Sequence, residues 1–234
     1  ERGLIVTAQE PPTPFMEGLR EIWGEPRARN FTLFVFLSMN AYFMQELILE
    51  PYAGLVFGFT PGQSTQLSGA QNGGVFIGML TVGIMATGLK KGGLRLWVTA
   101  GCLGSAAVLG LIALNGTGTA FAPLVPLVTL LGFFNGMFAV AAIGSMMALA
   151  SDGRTRREGT RMGLWGAAQA IAAGFGGLTG AAAVDILRTT LPDGAAFGAV
   201  FTFEAALFVA AALMALRILD RTTARGSPAL VPGE

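Results

Sequence analysis

Residues 121–150 read FAPLVPLVTLLGFFNGMFAVAAIGSMMALA, an unbroken stretch without one Asp, Glu, Lys or Arg. A helix needs about 20 mostly apolar residues to cross the hydrocarbon core of a bilayer, so this stretch reads as a membrane span. Pro123 and Pro126 fall in its first turns, where a missing N–H costs no helical hydrogen bond. Working outward, five further stretches qualify: residues 31–50, 67–89 and 96–114 before it, and 162–186 and 196–219 after it. The expected fold is all-α, with six transmembrane helices.

Composition agrees. Of the 234 residues 12% are charged and 53% apolar, whereas an ordinary soluble domain is about 25% charged. So few charges cannot cover a soluble surface, and a lipid-facing surface needs none. Glycine is abundant, at 34 residues, as is common in membrane helices. The net charge of +1 gives no reason to expect nucleic acid. Cys102, the only cysteine, lies in an apolar run and reads as a small buried or lipid-facing side chain. The chain has no histidine. That removes the usual general base, the commonest metal ligand and every catalytic triad built on His, so no enzyme is expected. The sequence starts at Glu1 with neither Met nor a signal-peptide pattern and reads as a piece of a longer protein.

Charge placement orients the spans. All but one of the 15 Lys and Arg fall before the first span, in the second-to-third and fourth-to-fifth loops, or in the tail; Arg188 alone falls on the other side. Basic residues collect on the cytoplasmic side, so both ends are expected in the cytoplasm. Three regions follow: 1–25, a cytoplasmic segment; 26–220, the transmembrane domain; and 221–234, a cytoplasmic tail. Within residues 12–24, Phe15, Met16, Leu19, Ile22 and Trp23 share a helical face opposite Glu17, Arg20 and Glu21. This pattern predicts a short helix lying on the membrane surface.

Helices in lipid associate through close approach at small residues. Gly163, Gly166, Ala170, Gly174, Gly177 and Ala181 form such a stripe in the fifth span. Gly132, Gly136, Val140 and Gly144 form one in the fourth, and Gly74 and Gly78 one in the second. They read as packing seams, or as a groove for a flat ligand.

Ionisable residues within spans are costly and are functional candidates by default. Glu46 and Glu50 are four apart on one face near the outer end of the first span, and Pro51 is expected to bend or end that helix. Gln66, Gln71 and Asn72 open the second span, where an amide can cap the helix or bond across to Glu46 or Glu50. Glu204 lies about 10 Å into the sixth span with no cation within that span to pair with it, and reads as a protonated packing residue, a ligand or a relay. Asp185 and Arg188 read as a local ion pair. The basic loop at residues 151–157 suits anionic lipid.

Three segments together resemble a known family: Gln45-Glu46-Leu47-Ile48-Leu49-Glu50-Pro51-Tyr52-Ala53-Gly54, Phe57-Gly58-Phe59-Thr60-Pro61-Gly62 and Leu67-Ser68-Gly69-Ala70-Gln71-Asn72-Gly73-Gly74-Val75. The chain is similar to the PucC/LhaA type, the bacteriochlorophyll-delivery group of the major facilitator superfamily in purple phototrophic bacteria. The segment Ile22-Trp23-Gly24-Glu25-Pro26-Arg27-Ala28-Arg29 fits as well, and the loop at residues 88–95 looks like a degenerate form of the superfamily's loop after its second and eighth helices. The resemblance covers residues 13–220.

It implies twelve spans in two halves, with this chain as the second half and residues 1–25 as the end of the central loop. It implies a factor in the bacterial inner, intracytoplasmic membrane that hands bacteriochlorophyll to antenna or reaction-centre polypeptides and meets the pigment-synthesis machinery. It also implies a histidine near Asn72 that this chain lacks, leaving oxygen ligands for magnesium among Gln45, Glu46, Glu50 and Asn72, with Tyr52 and Gln71 in the same motif. The competing expectations are a solute transporter with Glu46 or Glu204 as proton carrier, and a structural subunit. Against transport, the spans hold no buried Lys or Arg, and their acids are expected toward the outer side rather than at the midplane, where transporters bind.

Overall fold

A computed structural model describes residues 20, 23–89, 92–118, 122–151 and 158–223. The surface helix expected within residues 12–24, the basic run at 152–157 and the tail beyond 223 lie wholly or mostly outside the described residues. Six helices follow one another: α1 Pro26–Phe57, α2 Pro61–Val82 with a π-helical continuation Gly83–Gly88, α3 Leu94–Asn115, α4 Leu124–Ser151, α5 Glu158–Arg188 and α6 Asp193–Thr223. All six are long and apolar enough to cross a membrane; the shortest has 22 residues, about 33 Å at 1.5 Å per residue. There is no strand among the described residues.

Local chemistry sets the ends, and it corrects one expectation. Pro51 does not end α1, which runs through it to Phe57. Neighbouring helices support a proline-interrupted ladder in membrane proteins. The stop comes at Gly58, whose φ of 69° is the left-handed conformation that glycine adopts freely. Thr60 then caps α2: its side chain accepts from the Gln63 N–H while the Gln63 side chain accepts from the Thr60 N–H, with Pro61 at the first helical position. The helix therefore opens six residues before the expected 67. At the α5–α6 turn, Arg188 Nε bonds Asp193 Oδ1 at 2.7 Å, and Asp185 is its weaker partner at 4.0 Å. The local pair expected at Asp185 is mainly a bridge across the turn.

The helices pack in the spatial order α2, α4, α3, α6, α1, α5. The seam between α2 and α4 matches the glycine pattern. A Cβ at Gly74 or Gly78 would collide with Thr129 or Phe133 backbone oxygen, and one at Gly132 or Gly136 with Gln71 or Val75 oxygen. The stripe expected on α5 is displaced. Gly163, Gly166 and Gly174 face open space, while Gly176 and Gly180 meet Asn40 and Met44 of α1. The sequence Gly174-Phe175-Gly176-Gly177 puts small residues on two faces, and only the partner decides between them.

An aromatic spine fills the interior: Phe31 against Trp165, Phe34 against Phe138, Phe138 against Phe208, and Tyr52 against Phe197 and Phe201. Cys102 is wholly buried, which selects the first of the two expected placements, buried or lipid-facing. At the basic end, Arg161 Nη2 pairs with Glu25 Oε2 at 2.5 Å and its Nη1 donates to Leu149 O at 3.1 Å, so one guanidinium ties α5 to the starts and ends of its neighbours.

Candidate functional site

The expected outer corner exists in part. Glu50 Oε1 accepts from Ser68 Oγ at 2.6 Å, joining α1 to α2. The bridging group is the Ser68 hydroxyl rather than the expected amides. Asn72 instead donates back to the Ser68 carbonyl at 3.0 Å, and Gln71 is buried toward α4, its own carbonyl packed on Gly132. Glu46 is exposed one turn deeper on the face that carries Glu50. These side chains form a rim of oxygen donors at the far end of the bundle.

Two members of the expected set point elsewhere. Tyr52 is wholly buried, and its hydroxyl donates to Ile112 O of α3 at 2.7 Å. That hydroxyl is committed to holding α1 on α3. Gln45 is also wholly buried, and neither of its amide atoms has a partner. Glu204, wholly buried on α6, likewise has both carboxyl oxygens unpartnered. Because α6 starts at Asp193, Glu204 is eleven residues in, about 16 Å along the axis. It therefore lies deeper along α6 than the roughly 10 Å expected from the sequence.

A second feature was not expected. A groove of about 480 Å³ opens between α1, α5 and α6, walled chiefly by Phe36, Met44, Phe175, Val200, Phe203 and Leu207. Its polar lining is Asn40 and Thr179. The Thr179 hydroxyl is spent on the carbonyls of Phe175 and Gly176, so Asn40 brings the groove's available amide, near the middle of α1. Apolar walls with few polar groups are the usual make-up of a small-molecule site, and this volume falls in the usual range. The signal in the sequence was an Asn at the centre of the first span. Glu46 and Glu50 project from another flank of α1 and do not line the groove. Among the described residues no three His, Cys, Asp or Glu gather as a metal cluster.

Comparisons with known proteins give the chain a family. The model of the family described as "PUCC protein" matches residues 5–223. A relative from Rhodobacter capsulatus named "Bacteriochlorophyll synthase 44.5 kDa chain" is 62% identical over 97% of this chain and 53% of its own length. "Protein PucC" of Cereibacter sphaeroides is 29% identical over 93% of this chain and 47% of its own. The chain thus spans about half the length of the curated relatives it matches. No solved structure matches it. A multi-pass helical membrane protein matched over nearly its whole length by that family model, this chain belongs to the PUCC protein family.

Proposed function

We propose that this chain is a membrane-embedded part of an assembly factor that binds bacteriochlorophyll and passes it to antenna or reaction-centre polypeptides in the intracytoplasmic membrane of a phototrophic bacterium. The observation that supports this most is the mid-depth groove between α1, α5 and α6, apolar but for Asn40 and Thr179, in a chain of this family. A tetrapyrrole with an isoprenoid tail is a largely apolar body with a few polar groups, and the lining offers that match. The pigment supplies light absorption and a magnesium that takes oxygen ligands. Two sets of oxygens are offered to it: Asn40 in the groove, and the rim of Glu46, Glu50 and Asn72 with Gln71 behind it. The apolar walls exclude water from whatever lies there. Both described ends of the bundle face the cytoplasm in this reading, and lipid or protein partners cover α2 and α5, the two least buried helices.

No bond is made or broken on this chain in our reading. The word synthase belongs to the relative's name, and conversion of pigment by the purified protein, followed by chromatography, would overturn the non-catalytic view. The decisive experiment is an absorption spectrum of protein purified in mild detergent from a pigment-producing host. Near-stoichiometric pigment is expected. Asn40→Leu should lower it several-fold if the groove is the site, whereas Glu46→Ala with Glu50→Gln should do so if the rim is. A colourless wild type, or pigment unchanged in both variants, would sink the proposal.

A further inference from the structure

Helix register brings four buried polar side chains to one level inside the bundle, and two of them, Ser105 and Asn135, are hydrogen-bonded to each other. The Tyr52–Ile112 hydrogen bond registers α1 on α3, which run in the same direction. Two turns back from that tie, on the same faces, lie Gln45 on α1 and Ser105 on α3. Ser105 Oγ donates to Asn135 Oδ1 on α4 at 2.7 Å. One turn from Asn135, Phe138 meets Phe208 of α6 at 6.0 Å. Since α4 and α6 also run in parallel, the matching step back from Phe208 reaches Glu204. All four side chains are essentially inaccessible. Gln45 Nε2 and Oε1, Asn135 Nδ2 and both Glu204 oxygens have no partner.

The charges around this layer offer nothing to neutralise an anion. Among the residues whose burial is described, Glu204 is the one Asp, Glu, Lys or Arg that is wholly buried. On the helices packed against it, α1 has Glu46 and Glu50, both exposed, and otherwise only Glu25, Arg27 and Arg29 at its start. Arg95 opens α3, and α4 has no charged side chain. The charges of α5 and the remaining ones of α6 lie toward the helix ends. Of the other buried hydroxyls, those of Thr32, Ser38 and Ser145 bond their own helices.

We propose that Glu204, Gln45, Asn135 and Ser105 form a proton-binding site at the middle of the membrane. The donor and acceptor inventory points to the proton. Gln45 and Asn135 offer amide N–H donors, but Gln45 Oε1 is an acceptor for which a carboxylate has no donor. A carboxylic acid supplies that donor, accepts from the amides and carries no charge into the dry interior. The proton comes from either aqueous phase and stays on a Glu204 oxygen; no covalent chemistry is involved. Met44 and Phe203, the chain neighbours of Gln45 and Glu204, wall the groove. The site therefore acts on the same two helices as the groove, yet it does not depend on what fills the groove.

Infrared spectroscopy of the protein in lipid tests this directly. The carbonyl stretch of a protonated carboxyl should be present in the wild type at neutral pH and absent in Glu204→Gln. Removing an amide donor, as Gln45→Met or Asn135→Leu, should move that band to higher frequency while the protein stays folded. No wild-type-minus-Glu204→Gln band, or a band unmoved in both amide variants, would overturn the site. A band bleached by Na⁺ but not by K⁺ at constant pH would make the occupant a metal cation and also overturn it.

Discussion

Tyr52 shows how one side chain can carry a sequence motif without carrying its chemistry. It sits within the segment that marks the family, yet its ring lies 5.0 Å from that of Phe201 and its hydroxyl is spent on Ile112 O. Tyr52→Phe keeps the ring and removes the bond, and should cost about 1 kcal/mol. Thermal unfolding in detergent should show a modest fall with pigment content unchanged. An unchanged melting temperature would mean the bond is not formed in the bilayer-extracted protein. Glu50 was legible as a polar candidate because it stands in an apolar run. Its partner Ser68 was not, because eighteen residues and a turn separate them and only the closure of α1 on α2 brings them to 2.6 Å. Asn40 escaped notice for the converse reason: an amide in a span gains meaning only once the walls around it are known.

Element ends and seams divide in the same way. The capping box Thr60-Pro61-Gly62-Gln63 and the left-handed Gly58 are local devices, readable from a few neighbouring residues. Pro51 misleads locally, since the fate of its helix depends on support from neighbouring helices. Glycine stripes are intermediate. Gly74 and Gly78 of α2 meet Gly132 and Gly136 of α4 in the expected seam, whereas α5 makes its close contacts through Gly176 and Gly180 on another face. A paired substitution separates these cases. Gly136→Val drives a side chain into the Val75 carbonyl and should cost ~3 kcal/mol or more, since backbone blocks relaxation. Gly166→Ala, on a position facing open space, should stay within about 0.5 kcal/mol of the wild type. Chemical or thermal denaturation of the two variants side by side checks the contrast, and equal losses would restore the stripe first expected on α5.

At the scale of the molecule, orientation is open to a labelling experiment. Cys102 is wholly buried and gives a silent background. Thr189→Cys, in the exposed α5–α6 turn, should react with a membrane-impermeant maleimide from the outer side, and Gly24→Cys only after the cytoplasmic side is opened. The reverse pattern would invert the topology. The sequence by itself determined that the chain spans a membrane six times, because apolar length and the scarcity of charge are sums over neighbouring residues that no folding changes. It also determined the family, whose motif segments are each short runs of adjacent residues. Only the tertiary structure decided which faces are inside. Gln45 and Glu46 are neighbours in the chain and point to opposite environments, one into the buried layer and one outward. The groove, the Glu50–Ser68 bond and the layer around Glu204 each join helices far apart in sequence. In lipid the helices choose their contacting faces by shape and hydrogen bonding rather than by hydrophobicity, and that choice leaves no periodic trace in the apolar pattern.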